Sequence, residues 1–263
     1  MRRHITLLRA YFAQYVKVRV AYRGDFLIGL ATSMLATGLG FGFLLILFTK
    51  IPRLAGWSFH EAMFLYGFGL IPFGLFNVLS LNIYEFGNIY IIEGKFDRVL
   101  LRPISSLFQV LFEAFRIESL HEVITGSLAV WWASRQLGLH WTAGNLALCI
   151  LFVLCGAVIY VSVFALLSCV SFWYEDRVGV HPPVYNLIAF GRYPLNIYSQ
   201  LIQFLLSWII PFGFASFYPS ARMLGRPEFR NLSLLAPVVA AAFLSLLLYT
   251  WNRGLRQYSS TGS

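Results

Sequence analysis

From Phe26 to Phe48 the chain carries no charged residue. At a rise of about 1.5 Å per residue, a helix of that length crosses a hydrocarbon core of about 30 Å. Apolar runs of similar length recur along the sequence, each closed by charged, proline or tryptophan positions. The pattern predicts an all-α, polytopic membrane helix bundle of about six transmembrane helices. The spans fall at 25–50, 62–83, 107–134, 146–172, 195–217 and 232–251 of a single transmembrane domain covering 1–263.

The flanks refine this reading. Leu7, Leu8, Tyr11, Phe12 and Tyr15 recur at helical spacing while Arg9, Ala13, Gln14 and Lys17 mark another face, which predicts an amphipathic interfacial helix over 1–24. Asp25 caps the first span, and Lys50, Pro52 and Arg53 end it. Trp131, Trp132 and Trp141 mark an interface after the third span, which starts near Leu107. Pro182 and Pro183 are expected to break the chain, with Val184 to Arg192 lying near the surface and the fifth span starting at Leu195. Pro211 removes a backbone donor near the end of that span, so the helix should kink or stop there and the residues after it partly re-enter as short outer helices.

Composition narrows the function classes. With 59% hydrophobic and 12% charged residues, the spans leave no stretch for a soluble catalytic domain of about 100 residues. The formal charge of +9 resides in short loops beside apolar runs, which fits orientation by the positive-inside rule rather than nucleic-acid binding. The six basic residues Arg2, Arg3, Arg9, Lys17, Arg19 and Arg23 leave no uninterrupted apolar core of the kind a cleavable signal has, so the N-terminus is expected to be retained inside. With it there, the inner Lys and Arg outnumber the outer Lys50, Arg53, Arg135, Arg222, Arg226 and Arg230, which puts both termini in the cytoplasm. Cys149, Cys155 and Cys169 share one apolar run at spacings unsuited to a disulfide or a shared metal and read as packing residues.

Two polar groupings could carry chemistry. Residues Glu93 to Pro103, EGKFDRVLLRP, set an apolar stripe of Phe96, Val99 and Leu100 among charges. A solvated loop would not need that stripe, whereas a short docking helix for a cytoplasmic partner would. Gly94 and Lys95 do not make a phosphate-binding loop, because Phe96 follows the lysine and no upstream glycine fits. If ATP drives this protein, another polypeptide binds the nucleotide and its magnesium. The second grouping is Glu113, Arg116, Glu118, His121 and Glu122. An ionised group at mid-bilayer costs roughly 2.5–3.5 kcal/mol on insertion scales, so these residues either lie on a partly interfacial helix or line a polar opening to a translocation pathway. His121 and Glu122 do not extend to a zinc-protease motif, since Thr125 stands at the second histidine position. Gly38 and Gly42, and Gly67, Gly69 and Gly74, suit close helix packing or a dimer seam.

The chain resembles the membrane subunits of ABC-2-type ATP-binding-cassette exporters, in particular the small six-span bacterial permeases. The resemblance rests on the basic surface helix, on GKFDRVLLRP after the second span, on GRYPLNIY from Gly191 to Tyr198 and on IIPFGFASFYPSARMLG from Ile209 to Gly225. It implies an exporter of the inner membrane with two such subunits, identical or paralogous, and two ATPase subunits. It further implies an ATPase-coupling contact at Glu93, Gly94, Lys95, Asp97, Arg98 and Arg102, and an outer gate around Pro211, Tyr218 and Pro219. The competing classes are a membrane-embedded enzyme acting on lipid-linked substrates, with Glu118, His121 and Glu122 as acid and base, and an ion-coupled carrier or channel.

Overall fold

The computed structural model describes residues 10–11, 13–18, 21–174 and 181–259. Among them every regular element is helical, with one isolated bridge between Leu54 and Trp57. Leu7, Leu8, Arg9 and Phe12 of the N-terminal pattern lie outside the described residues, as do Glu175 to Arg177; residues 13–18 are helical. The helices are α1 (Arg23–Lys50), α2 (Phe59–Ser80), α3 (Phe96–Leu100), α4 (Ser106–Phe112), α5 (Leu120–Gln136) and α6 (Ala143–Ser168). They continue with α7 (His181–Gly191), α8 (Gln200–Phe204), α9 (Phe212–Ala215), α10 (Phe217–Met223), α11 (Arg230–Ser233) and α12 (Ala236–Gln257). We call basal the end holding residues 81–119 and apical the end holding Trp57. Four segments, Arg23–Lys50, Phe59–Ser80, Ala143–Phe172 and Pro227–Gln257, are each long and apolar enough to cross a membrane.

The spine is α2, buried along most of its length because its glycines admit other backbones. A Cβ on Gly126 of α5 would lie 2.5 Å from the Gly67 carbonyl oxygen, and one on Gly74 would meet Val123 and Glu122. From the other side, Gly156 of α6 accommodates Pro72. Where lipid tails compete equally for apolar side chains, such close approach supplies the van der Waals contact that holds helices together. In contrast α1 buries only Thr37 and Leu44 and turns Leu35, Leu39 and Ile46 outward, as expected of a helix solvated by lipid. At the basal end Phe86, Phe96, Phe172 and Trp251 form one ring cluster with centroids 5.0–6.1 Å apart in the pairs that touch, joining α3 to the ends of α6 and α12.

Two spans differ from the sequence expectation. The third, expected as continuous over 107–134, is two helices: α4 ends at Phe112, a 3-10 turn spans Ile117–Ser119, and the crossing helix α5 starts at Leu120. A continuous helix would draw Glu113, Arg116 and Glu118 toward hydrocarbon at roughly 2.5–3.5 kcal/mol each; the break keeps them at the basal end.

The fifth crossing is not 195–217 but the preceding segment. His181 sits beside Ser168 and Tyr84 at the base, Arg192 lies over Phe73 halfway up α2, and Asn196 accepts from the Trp57 indole and donates to the Ala55 carbonyl at the apical end. Pro182 and Pro183 do not break this segment because they occupy the first turn of α7, where a missing N–H leaves no intrahelical bond unmade. The next stretch of chain, α8 with its π-helical continuation Leu205–Ile209 and then α9 and α10, is bent by 71° at its break. The chain reaches this element from Asn196 and leaves it at Arg226, which pairs with Glu61 at 2.7 Å. The turn between carries Phe212 in among Tyr160 and Phe164. It is a re-entrant element before the last span.

Gly126→Val drives a branched side chain into the Gly67 backbone and should cost about 1–3 kcal/mol of stability, read as a lowered melting temperature of the purified chain in detergent. Gly38→Ala meets open space and should leave that temperature unchanged or raise it.

Candidate functional site

The segment from Glu93 to Pro103 folds as a tight turn ending in the single-turn helix α3. Gly94 takes φ +70° to make the turn, and Lys95 pairs with Glu93 at 2.8 Å across it. The apolar stripe divides. Phe96 and Val99 are buried in the basal ring cluster, while Leu100 and Leu101 project outward, Leu101 at 84% exposure. Asp97 faces inward as well, accepting from the Tyr258 hydroxyl at 2.9 Å; burial and this carboxylate push the Tyr258 phenol up to about 12. The outward face is therefore Arg98, Leu100, Leu101 and Arg102. Gln109, fully buried, donates to the Val99 and Ile104 carbonyls and fixes the return of the chain into α4.

Two tyrosines of the N-terminal helix bridge this segment to the break before α5. Arg102 donates to the Tyr11 hydroxyl at 2.6 Å. The Tyr15 hydroxyl donates to Glu118 at 2.8 Å and accepts from the backbone N–H of Ile117 at 3.1 Å. Beside them Asn82 donates to the Tyr90 hydroxyl, which donates to Glu113. Burial first, and then the Glu113 carboxylate, hold the Tyr90 phenol far above its usual range. Arg116 lies 3.9 Å from Glu118. Glu113, Arg116 and Glu118 thus form basal contacts, whereas Glu122 alone of the four lies within a crossing helix.

Glu122 is buried, accepts from Asn77 at 2.9 Å, and lines a cavity of about 260 Å³ between α1, α2, α5 and α7 together with Ser33, Thr37, Phe73, Tyr185 and Arg192. The Arg192 guanidinium stacks 4.4 Å from the Phe73 centroid, and its Nε is buried without a hydrogen-bond partner among the described residues. Tyr185 and Asn186 line both this cavity and a larger one of about 550 Å³ at the basal end, which also includes Glu85, Arg116 and His181. The two hollows are neighbours along one course from the base to mid-bundle. Sequence reasoning placed Arg192 near the surface and passed over Asn77, Tyr185 and Asn186; a lone arginine between apolar residues was the available signal.

His121 is engaged separately, Nδ1 on the Glu118 carbonyl at 2.8 Å and Nε2 near Thr37 at 3.2 Å. The acid and base roles weighed for Glu118, His121 and Glu122 therefore fall on groups held by different partners. Among the described residues no cluster of three or more His, Cys, Asp or Glu could hold a metal. Pro211, Tyr218 and Pro219 all lie buried in the re-entrant element, where Tyr218 shares a 2.7 Å hydrogen bond with Ser207.

Asn186→Cys should react with a charged maleimide about tenfold faster than Ser162→Cys, which points into fully buried packing. The native cysteines are buried and contribute little background. Equal rates, followed by mass spectrometry of the labelled chain, would mean that the course beside α7 is closed to water.

No curated protein and no solved structure matches the chain. A family model described as ABC-2 family transporter protein matches residues 34–262, most of the sequence. With its all-helical, multi-pass architecture, the chain belongs to the ABC-2 family of transporter proteins and is a membrane-embedded transporter subunit.

Proposed function

We propose that this chain is the permease of an ATP-driven exporter, lining the substrate path while separate subunits bind ATP and magnesium. One observation carries the reading: the segment with the outward Leu100, Leu101, Arg98 and Arg102 is tied through Arg102–Tyr11 to the N-terminal helix, and that helix through Tyr15–Glu118 to the base of α5. A push delivered at the loop is passed to the helix that carries Glu122, at the wall of the mid-bundle cavity. The partner's binding energy need only favour one packing of the bundle over another.

In this reading the basal end faces the cytoplasm, both termini with it, in the inner membrane of a bacterium, and two ATPases dock there. The excess of Lys and Arg at the basal end supports that orientation. The permease half is a pair, of two copies or of this chain with a paralogue. Gly38 and Gly42 of α1 support this, since a Cβ added to either would meet nothing within 4 Å among the described residues, which leaves a GxxxG face open. The re-entrant element, with Pro211, Tyr218 and Pro219, caps the outer end of the path.

The test is copurification of nucleotide-hydrolysing activity with the tagged chain from its native host. Leu101→Asp and Arg98→Glu should each reduce the retained ATPase by about tenfold or more without affecting membrane insertion. Asp97→Asn, which touches Tyr258 rather than the outward face, should reduce it less. Wild-type chain that retains no ATPase, or that alone drives uphill flux, overturns the reading.

A further inference from the structure

We infer that the apical end carries a binding site for a phosphate group, separate from the mid-bundle cavity. A cavity of about 380 Å³ opens there, between the first turns of α6 and the segment joining α10 to α11. This volume lies in the range of small-ligand pockets. Arg222, Arg226 and Arg230 all line it, with Asn145 and Leu148 of α6 opposite and no carboxylate on its wall among the described residues.

Arg226 is set in place by three hydrogen bonds, two to Glu61 and one to the Gly56 carbonyl, and lies 4.7 Å over the Trp57 ring. Arg222 and Arg230 have no carboxylate partner within 4.0 Å among the described residues. Gly225, at φ +74°, turns the chain so that arginines on either side of it reach the same hollow. The N-terminus of the 26-residue α6 also abuts the cavity, and its aligned peptide dipoles add positive potential there. The Thr142 hydroxyl already accepts the Asn145 N–H at 3.2 Å, so the arginines are left to supply the direct contacts.

Converging guanidinium groups, two of them with no carboxylate partner among the described residues, suit a tetrahedral phosphate oxyanion, which they can grip through paired N–H donors. A carboxylate would satisfy fewer of them. On the orientation proposed above, this end faces outward, where the positive-inside rule disfavours arginine in short loops. Arg222 and Arg230, placed around one hollow without a carboxylate partner among the described residues, then call for an anionic ligand. The phosphate could be carried by a lipid of the outer leaflet or be free in solution.

The full chain in phosphatidylcholine nanodiscs is titrated with inorganic pyrophosphate, and in a second arm its retained lipids are identified by native mass spectrometry from discs containing phosphatidylglycerol. Wild type should bind in at least one arm, and Arg222→Gln/Arg230→Gln should weaken that binding by about tenfold or more. Leu148→Glu, which places a carboxylate on the opposite wall from a different helix, should weaken it comparably and guards against misfolding of the arginine variant. Arg135→Gln, an exposed arginine elsewhere on the apical side, should not affect it. Pyrophosphate binding alone identifies a soluble ligand, and lipid retention alone identifies a headgroup. No binding in either arm, unchanged binding in the double variant and in Leu148→Glu, or equal weakening by Arg135→Gln overturns the inference. None of these readings involves an ATPase, so the outcome is independent of the coupling experiment.

Discussion

Charge cannot be left bare in hydrocarbon, and the architecture follows from where this chain puts its few ionised groups. Glu113, Arg116 and Glu118 stay at the base because the helix gives way before α5. Glu118 and Glu113 are held there by tyrosine hydroxyls. Arg226 and Glu61 satisfy one another at the apical end, where side-chain exposures of 24% and 17% leave the pair partly shielded from water. Among the described residues only Glu122 and Arg192 remain at depth as charge-bearing groups, and both border a hollow. The break before α5 and the mid-bundle cavity are placed where a charged group would otherwise be stranded.

Much of the bundle was legible in the sequence because the signal was long: an apolar run of twenty-odd residues has few alternatives in water or lipid. The runs at 25–50, 62–83 and 146–172 overlap α1, α2 and α6, and the run at 232–251 overlaps α12, which both starts and ends later in the chain. The break before α5 was harder to place. Leu107 to Glu122 keeps a helix-compatible apolar spacing, and only the cost of burying its charges, which depends on depth, decides where the helix stops.

The misreading at Pro182 and Pro183 has a simple cause. Proline ends a helix from inside and begins one from its first turn, and the sequence alone does not say on which side of the boundary it falls. Taking the pair as a break moved the fifth crossing past Arg192 and hid the residue that faces Glu122 across the cavity. The segment from Glu93 to Pro103 mixes apolar and charged positions in the sequence, but the sorting of its apolar residues was not readable. Phe96 and Leu100 have similar hydrophobicity, and which one is swallowed by the ring cluster depends on Phe86, Phe172 and Trp251 arriving from distant parts of the chain. Gln109, polar and wholly buried, gave no pattern at all.

The glycine seam between α2 and α5 has a mechanical corollary. Two backbones in direct contact cannot slide or roll against each other without colliding, so this pair behaves as a rigid strut. α1, anchored by little more than Thr37 and Leu44, has no comparable constraint. The least constrained seam of the bundle is therefore the one between α1 and this stiff mast, and the hollow bounded by Ser33, Thr37 and Glu122 lies along it.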